Sequence, residues 1–189
     1  MGQTANFPCH TSDLCRHPGW LEHPFIPRVF ALEEATGNTY KYGTDEPSWP
    51  EREGMPQLRY VSFGYGHKKP RPSCALMIDA RHLTDPYLDP TLRDLDARDP
   101  RVQRAVLRTP GAQALLATLV TAGYQLLAQA GAEETVTIAV GCGGGRHRAP
   151  VLVSQAAAQM DHLGELRVQA VHRDLDEQLL PAGAGNAAA

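Results

Sequence analysis

The sequence has few cysteines, few aromatic residues and no long apolar run. Its 4 cysteines among 189 residues are too few for a disulfide-stabilised scaffold. No apolar run is long enough to span a membrane, and the first residues lack the basic-then-apolar order of a signal peptide. The formal net charge of −3 gives no overall attraction to nucleic acid or to anionic membranes. We therefore expect a cytoplasmic protein with reduced thiols and no membrane partner.

The composition and the distribution of proline predict three parts. A hydrophobic content of 42% over 189 residues is sufficient for one domain with its own core. Prolines interrupt regular elements throughout the first part, and the end of the chain is rich in Ala and Gly. The predicted parts are an irregular N-terminal arm (1–56), an α/β core (57–177) and a disordered tail (178–189).

The arm also contains a loose cluster of residues that bind metals in other proteins. These are Cys9, His10, Cys15 and His17. Their spacing differs from the paired patterns of structural zinc sites, so we predict no metal site and no cofactor.

Apolar segments that alternate with helical segments predict a mostly parallel sheet of about four or more strands. The predicted strands are 58–63, 74–78, 135–140 and 166–171. Helices are predicted over 100–108, 110–130 and 150–162, the first two because Asp99-Pro100 and Thr109-Pro110 are typical helix starts. This order indicates a sheet covered on both faces.

Charged side chains follow each predicted strand. They are His67, Lys68, Lys69 and Arg71 after the first strand, Asp79, Arg81 and His82 after the second, Arg146, His147 and Arg148 after the third, and His172 and Arg173 after the fourth. Ligands of parallel sheets bind beyond the carboxyl ends of the strands. Four cationic clusters at one edge of a net acidic protein predict an anionic ligand, either a small phosphorylated molecule or a nucleic-acid backbone.

The segment after the third strand is the strongest single indication of such a ligand. Residues 136–151 read VTIAVGCGGGRHRAPV, an apolar strand followed by glycines and then a predicted helix. Glycines allow several N–H groups to point at one spot, and a helix N-terminus adds more of them. We predict that Arg146 and Arg148 hold a phosphate, that the backbone of 143–145 surrounds it, and that Asp79 either bonds a sugar hydroxyl or amine or pairs with Arg81.

Four motifs in this order resemble the C-terminal domain of the RapZ family of RNase adaptor proteins. They are YVSFGYG at 60–66, DAR at 79–81, GCGGGRHR at 141–148 and HRD at 172–174. The resemblance covers about residues 58–176 and implies a regulatory domain that senses an amino-sugar phosphate, glucosamine-6-phosphate, and contacts small RNAs and a ribonuclease. The candidate ligand-binding residues on these motifs are Ser62, Gly64, Tyr65, Asp79, Arg81, Cys142, Gly143, Gly144, Gly145, Arg146, His147, Arg148, His172 and Arg173.

The sequence departs from the family pattern at two places near these motifs. Ala149 stands where the family has Ser, and Asp85-Pro86-Tyr87 stands where it has Asn-Pro-His. The family's full-length members also carry a Walker A nucleotide-binding loop, and these 189 residues contain no such sequence.

Two further functions are consistent with the same residues. Cys142 and Arg148 have the spacing of cysteine phosphatases, in which a thiol of lowered pKa attacks phosphorus and a group such as Asp79 or Asp85 serves as the general acid. The predicted RNA-binding patch, which would contact the RNA backbone, comprises His67, Lys68, Lys69 and Arg71. We favour a regulatory binding module over an enzyme, and an oligomer is compatible with the sequence.

Overall fold

The computed structural model describes residues 56–161, 167–181 and 183–185. All of them belong to the compact unit Thr39–Ala189. The arm, with its Cys and His cluster, lies outside the described residues apart from residue 56. The boundaries of arm, core and tail therefore stay predictions.

Four strands form one sheet in which every neighbouring pair is parallel. They are β1 (Gln57–Gly64), β2 (Leu76–Asp79), β3 (Thr135–Cys142) and β4 (Arg167–His172), in the spatial order β2-β3-β1-β4. The predicted parallel sheet is thereby confirmed. The register places Gly64 beside Cys142, Asp79 beside Gly141 and Ser62 beside His172. The segments that follow the four strands therefore start from the same edge.

Three helices flank the sheet: α1 (Pro100–Arg108), α2 (Ala112–Leu127) and α3 (Arg148–Asp161). Asp99 starts α1 as predicted, because its carboxylate accepts a hydrogen bond from the N–H of Arg101. α3 begins two residues earlier than predicted, since proline is tolerated in the first turn of a helix. α2 and α3 contact each other and both contact β1, so they lie on one face of the sheet. The prediction that helices cover both faces is wrong for the described residues, because both β-α-β crossovers run in the same direction across the sheet.

Close packing of α2 on β1 fixes this helical layer. The hydroxyl of Tyr60 donates to the carbonyl of Leu119 at 2.9 Å. A Cβ at Gly123 would lie 2.4 Å from that hydroxyl, so the helix can approach the strand only with glycine there.

A second apolar cluster joins α1, the start of α3 and the segment after β4: Leu92, Ala97, Val102, Val106, Val151 and Leu175. Leu175 thus fixes the chain that leaves the sheet beside the candidate site.

None of the helices in the described part of the chain is both long and apolar enough to cross a membrane.

Candidate anion-binding site

The loop that joins β3 to α3 is held against the segment that follows β1. The N–H of Tyr65 donates to the carbonyl of Cys142, and the N–H of Gly66 donates to the carbonyl of Gly143, both at 2.9 Å. Gly145 adopts a left-handed conformation (φ +71°), and a Cβ there would lie 2.8 Å from the nitrogen of Gly64. The local backbone path therefore requires glycine at 145.

A small cavity of about 40 Å³ lies over this loop at the carboxyl edge of the sheet. It is lined by Asp85, Tyr87, Cys142, Gly143, Gly144, Arg146, His147, Arg148, Leu179, Leu180, Pro181, Gly183 and Ala184. By volume it accommodates roughly three water molecules. The structure therefore brings together most of the predicted glycine-rich loop and both of its arginines around one cavity.

Arg148 is buried, and internal acceptors already engage most of its donors. One terminal nitrogen, Nη1, donates to the carbonyls of Arg81 (3.1 Å) and Leu83 (3.0 Å), and the other, Nη2, pairs with the carboxylate of Asp85. Arg148 is only 3% exposed, and its Nε has no hydrogen-bond partner among the described residues. The side chain therefore anchors the segment after β2 while one buried donor stays unsatisfied.

Arg146 shows the same pattern on the other side of the loop. Its Nη1 donates to the carbonyls of Leu175 (3.3 Å) and Glu177 (3.0 Å). Its Nε is also buried without a partner in the described part of the chain. An unsatisfied buried donor costs about 1–3 kcal/mol, and guanidinium donors favour anionic oxygen acceptors.

His147 is a neutral structural residue at this site. Its Nε2 donates to the carbonyl of Leu95 at 2.8 Å, and its Nδ1 lies 4.0 Å from the carboxylate of Asp85. Burial lowers the pKa of His147 below its usual range, and the bond to Leu95 and the nearby Asp85 only partly oppose this. At neutral pH the ring therefore adds no positive charge to the cavity.

The thiol of Cys142 lines the cavity but is deeply buried. Burial raises its pKa, and the opposing effects of Arg148 and of the N–H groups of Ala149 and Gly145 are smaller. The expected lowering of this pKa is wrong, because desolvation outweighs the glycine-rich loop and the helix end. A thiol that stays protonated is a poor nucleophile.

Ser62 and His172 lie inside the fold rather than along the cavity. The Nδ1 of His172 is 2.9 Å from the hydroxyl of Ser62, and its Nε2 is 3.1 Å from the hydroxyl of Ser154. All three side chains are buried. Burial is also the main reason that the pKa of His172 falls to about 4, with a further lowering from Arg98. These residues connect β1, β4 and α3.

Asp174 is a central residue that the sequence analysis did not include among the candidates. Its buried carboxylate accepts hydrogen bonds from the N–H of Gly64 (2.8 Å), from Lys69 (3.0 Å) and from Arg173. Burial alone would raise the pKa of Asp174, but the bonds from Arg173, Gly64 and Lys69 outweigh it and lower the pKa. Its position in the HRD motif, directly after Arg173, was the sequence feature that could have identified Asp174 as a candidate.

Asp79 and Arg81 form the ion pair that was one of their two predicted roles. Their nearest charged atoms are 2.7 Å apart, and Asp79 is largely exposed. Bonds from Arg81 lower the pKa of Asp79 despite the opposing effect of burial. The guanidinium of Arg81 lies 4.2 Å from the ring centre of Tyr65, and that of Arg71 lies 5.5 Å from it. Tyr65 thus contacts both cations next to the glycine-rich loop.

The predicted RNA-binding residues differ in their surroundings. His67 contacts the carbonyl of Gly144 at 3.1 Å, and Lys69 pairs with Asp174 and Glu177. Lys68 and Arg71 are exposed. The patch is therefore divided between side chains that stabilise the loop and side chains that face solvent.

The described domain is thus a parallel sheet with helices and with a glycine-rich strand-to-helix loop at its carboxyl edge. The family model described as the RapZ C-terminal domain matches residues 56–176, and the chain belongs to this family. It is similar to a nucleotide-binding protein of Thermus thermophilus, at 36% identity over 67% of this chain and 45% of the relative. It is also similar to nucleotide-binding proteins of Corynebacterium jeikeium (38% identity, 64% of this chain, 41% of the relative) and Frankia alni (40%, 62% and 41%). The matches thus span less than half of each relative.

Proposed function

We propose that the carboxyl edge of the sheet binds a phosphorylated small molecule, specifically an amino-sugar phosphate such as glucosamine-6-phosphate, in a regulatory role. The observation that carries this proposal is the cavity lined by the glycine-rich loop and by Arg146 and Arg148. Each arginine has a buried Nε–H without a partner among the described residues. Anionic oxygens would satisfy such donors.

The carboxylates around the cavity support an amino sugar over inorganic phosphate. Asp85 lines the cavity and Asp79 lies at the end of β2, on the same edge. A carboxylate repels phosphate but attracts an ammonium group. A ligand with a phosphate and an amine could therefore use both kinds of charge, the phosphate on Arg146 and the amine on a carboxylate.

A regulatory role is supported by the state of the Cys142 thiol. Phosphate transfer to sulfur requires a thiolate, whereas burial keeps this thiol protonated. The relatives are named as nucleotide-binding proteins, and this chain matches less than half of each of them.

The exposed Lys68 and Arg71 support a second proposal, contact with the phosphate backbone of a small RNA. Both follow β1 at the carboxyl edge of the sheet, and neither is buried. Such contacts would depend strongly on salt and little on base sequence. A ribonuclease partner and a cytoplasmic location stay predictions.

Calorimetry and thermal unfolding with matched variants test the ligand proposal. The panel is glucosamine-6-phosphate, glucose-6-phosphate, inorganic phosphate and unphosphorylated glucosamine, with phosphate release measured in parallel. We expect glucosamine-6-phosphate to stabilise the wild type, by about 2.7 kcal/mol at one hundred times its Kd. Arg146→Gln should weaken binding at least tenfold, because it removes charged hydrogen bonds of about 1.5–3 kcal/mol. Arg104→Gln, at an exposed position of α1, is the control and should bind like wild type.

Three results would contradict the proposal. The first is the absence of stabilisation by any phosphate compound, and the second is equal binding by wild type and Arg146→Gln. The third is phosphate release that disappears in Cys142→Ser, which would establish the phosphatase alternative instead.

A further inference from the structure

We propose that the segment after the HRD motif is an autoinhibitory strap that competes with the ligand for the anion site. The strap is defined as residues 177–181 and 183–185. This inference rests on the proposed function, because the strap regulates the same cavity. Five strap residues line that cavity: Leu179, Leu180, Pro181, Gly183 and Ala184. The strap thus forms a wall of the site, although the sequence predicts disorder from residue 178 onward.

The strap is seated on the glycine-rich loop with backbone against backbone. Gly185 has a φ of +107°, and a Cβ there would lie 2.6 Å from the carbonyl oxygen of Gly143. A Cβ at Gly66 would lie 2.6 Å from the carbonyl oxygen of Ala184 and 2.6 Å from Cδ1 of Leu180. Contacts this short allow only glycine at both positions, so the seated strap is tightly fitted to the loop.

Strap carbonyls occupy N–H groups of two arginines at the edge of the sheet where the proposed ligand binds. Nη1 of Arg81 donates to the carbonyl of Gly185 at 2.6 Å. Nη1 of Arg146 donates to the carbonyl of Glu177 at 3.0 Å. A phosphate oxygen and a peptide carbonyl are both hydrogen-bond acceptors, so the ligand and the strap compete for the same N–H groups. Under this competition the apparent affinity for the ligand equals the intrinsic affinity multiplied by the fraction of molecules in which the strap is unseated.

The volume of the covered cavity gives an independent reason for displacement. At about 40 Å³ it is much smaller than the roughly 300 Å³ at which small-molecule pockets begin. Displacement of the strap would therefore enlarge the site for a sugar phosphate. The exposed ion pair between Lys69 and Glu177 is a weak tether, with both side chains more than 40% exposed.

The test compares two ways of unseating the strap. One variant ends at residue 176, and the second is the full chain with Gly66→Ala, whose new methyl group has only strap atoms as its nearest neighbours. Gly131→Ala, in an exposed turn remote from the strap, is the matched control. Calorimetry with glucosamine-6-phosphate should show binding about tenfold tighter in both strap variants, as expected if about one tenth of wild-type molecules are uncovered. Amide exchange of the wild type should become faster in the strap when this compound is added.

The outcomes separate this inference from the function on which it rests. If wild type and strap variants bind glucosamine-6-phosphate equally, or if the variants bind it more weakly, the strap does not compete and the inference is overturned. Slower strap exchange in the presence of ligand would also overturn it, since the strap would then be completing the site. If neither wild type nor the folded strap variants bind any phosphate compound, the proposed function fails and the autoinhibition fails with it. If the shortened chain does not fold, Gly66→Ala in the full chain still tests whether unseating the strap strengthens ligand binding.

Discussion

The buried His172 makes the stability of this domain depend on pH in a predictable window. Its pKa is about 4 in the folded protein, against the ordinary value of 6.5, and burial is the main cause. Since the folded pKa is depressed, the folded state binds fewer protons than the unfolded state between these values. The stabilisation is fully present above pH 6.5 and is lost as the pH falls through the window toward 4.

The two pKa values also set the size of the effect. Integrated over the whole window, the free energy of unfolding decreases by about 3 kcal/mol because of this one ring. Between pH 8 and pH 5 the expected decrease is about 2 kcal/mol. Hydrogen bonding does not oppose protonation here, because the hydroxyls of Ser62 and Ser154 can accept as well as donate. The penalty therefore comes mainly from desolvating the imidazolium, with a smaller contribution from Arg98.

Urea unfolding of wild type and His172→Gln at pH 8 and pH 5 measures this contribution. The wild type should lose about 2 kcal/mol more than the variant between the two pH values. Other groups titrate in both proteins, including His147, and their contributions cancel in the difference. The control is His82→Gln, which changes an exposed histidine and should follow the wild-type pH dependence. Parallel pH dependences for wild type and His172→Gln would refute the reasoning.

Two further predictions concern the glycine-rich loop. Gly145→Ala should destabilise the domain by roughly 1–3 kcal/mol, because its φ of +71° strains any other residue and its Cβ would overlap Gly64. Gly144→Ala, whose Cβ would have no neighbour within 4 Å, should cost less than about 0.5 kcal/mol, and equal urea midpoints would contradict the assigned backbone path. Cys142→Ser should leave the number of thiols that react rapidly with iodoacetamide at pH 8 unchanged, because the Cys142 thiol is buried and its pKa is raised. A decrease in that number would show that the thiol is reactive after all.

The parts of the fold that depend on local signals were predictable from the sequence. Asp99 followed by Pro100 predicted the start of α1 to the residue, because a carboxylate cap acts on the next turn only. The parallel sheet followed from strands separated by helices. Which face the helices cover depends on the spatial order of the strands, β2-β3-β1-β4, and this order is set by pairing between residues far apart in the sequence. No local sequence pattern indicates the spatial order of the strands.

The location of the candidate site was predictable from the sequence, but the ion pairs and burial of its charged side chains were not. The cationic groups do gather at the carboxyl edge of the sheet. The sequence could not show that Arg148 pairs with Asp85 across 63 residues or that Lys69 pairs with Asp174 across 105. It also could not show that His172 faces two serines, because a histidine at a strand end looks the same whether it points into a cavity or into the core.

The internal acceptors change how the arginines can recognise an anion. Arg148 is fixed by two carbonyls and a carboxylate, so its position is set before any ligand arrives and little side-chain entropy remains to be lost. Arg146 is held by carbonyls alone, one of which belongs to the strap. A ligand that displaces the strap therefore exchanges a neutral acceptor for a charged one on Arg146, while Asp85 keeps its charged pair with Arg148. We therefore expect Arg146, together with Arg81, to couple ligand binding to strap release, and Arg148 to keep the loop in place in both states.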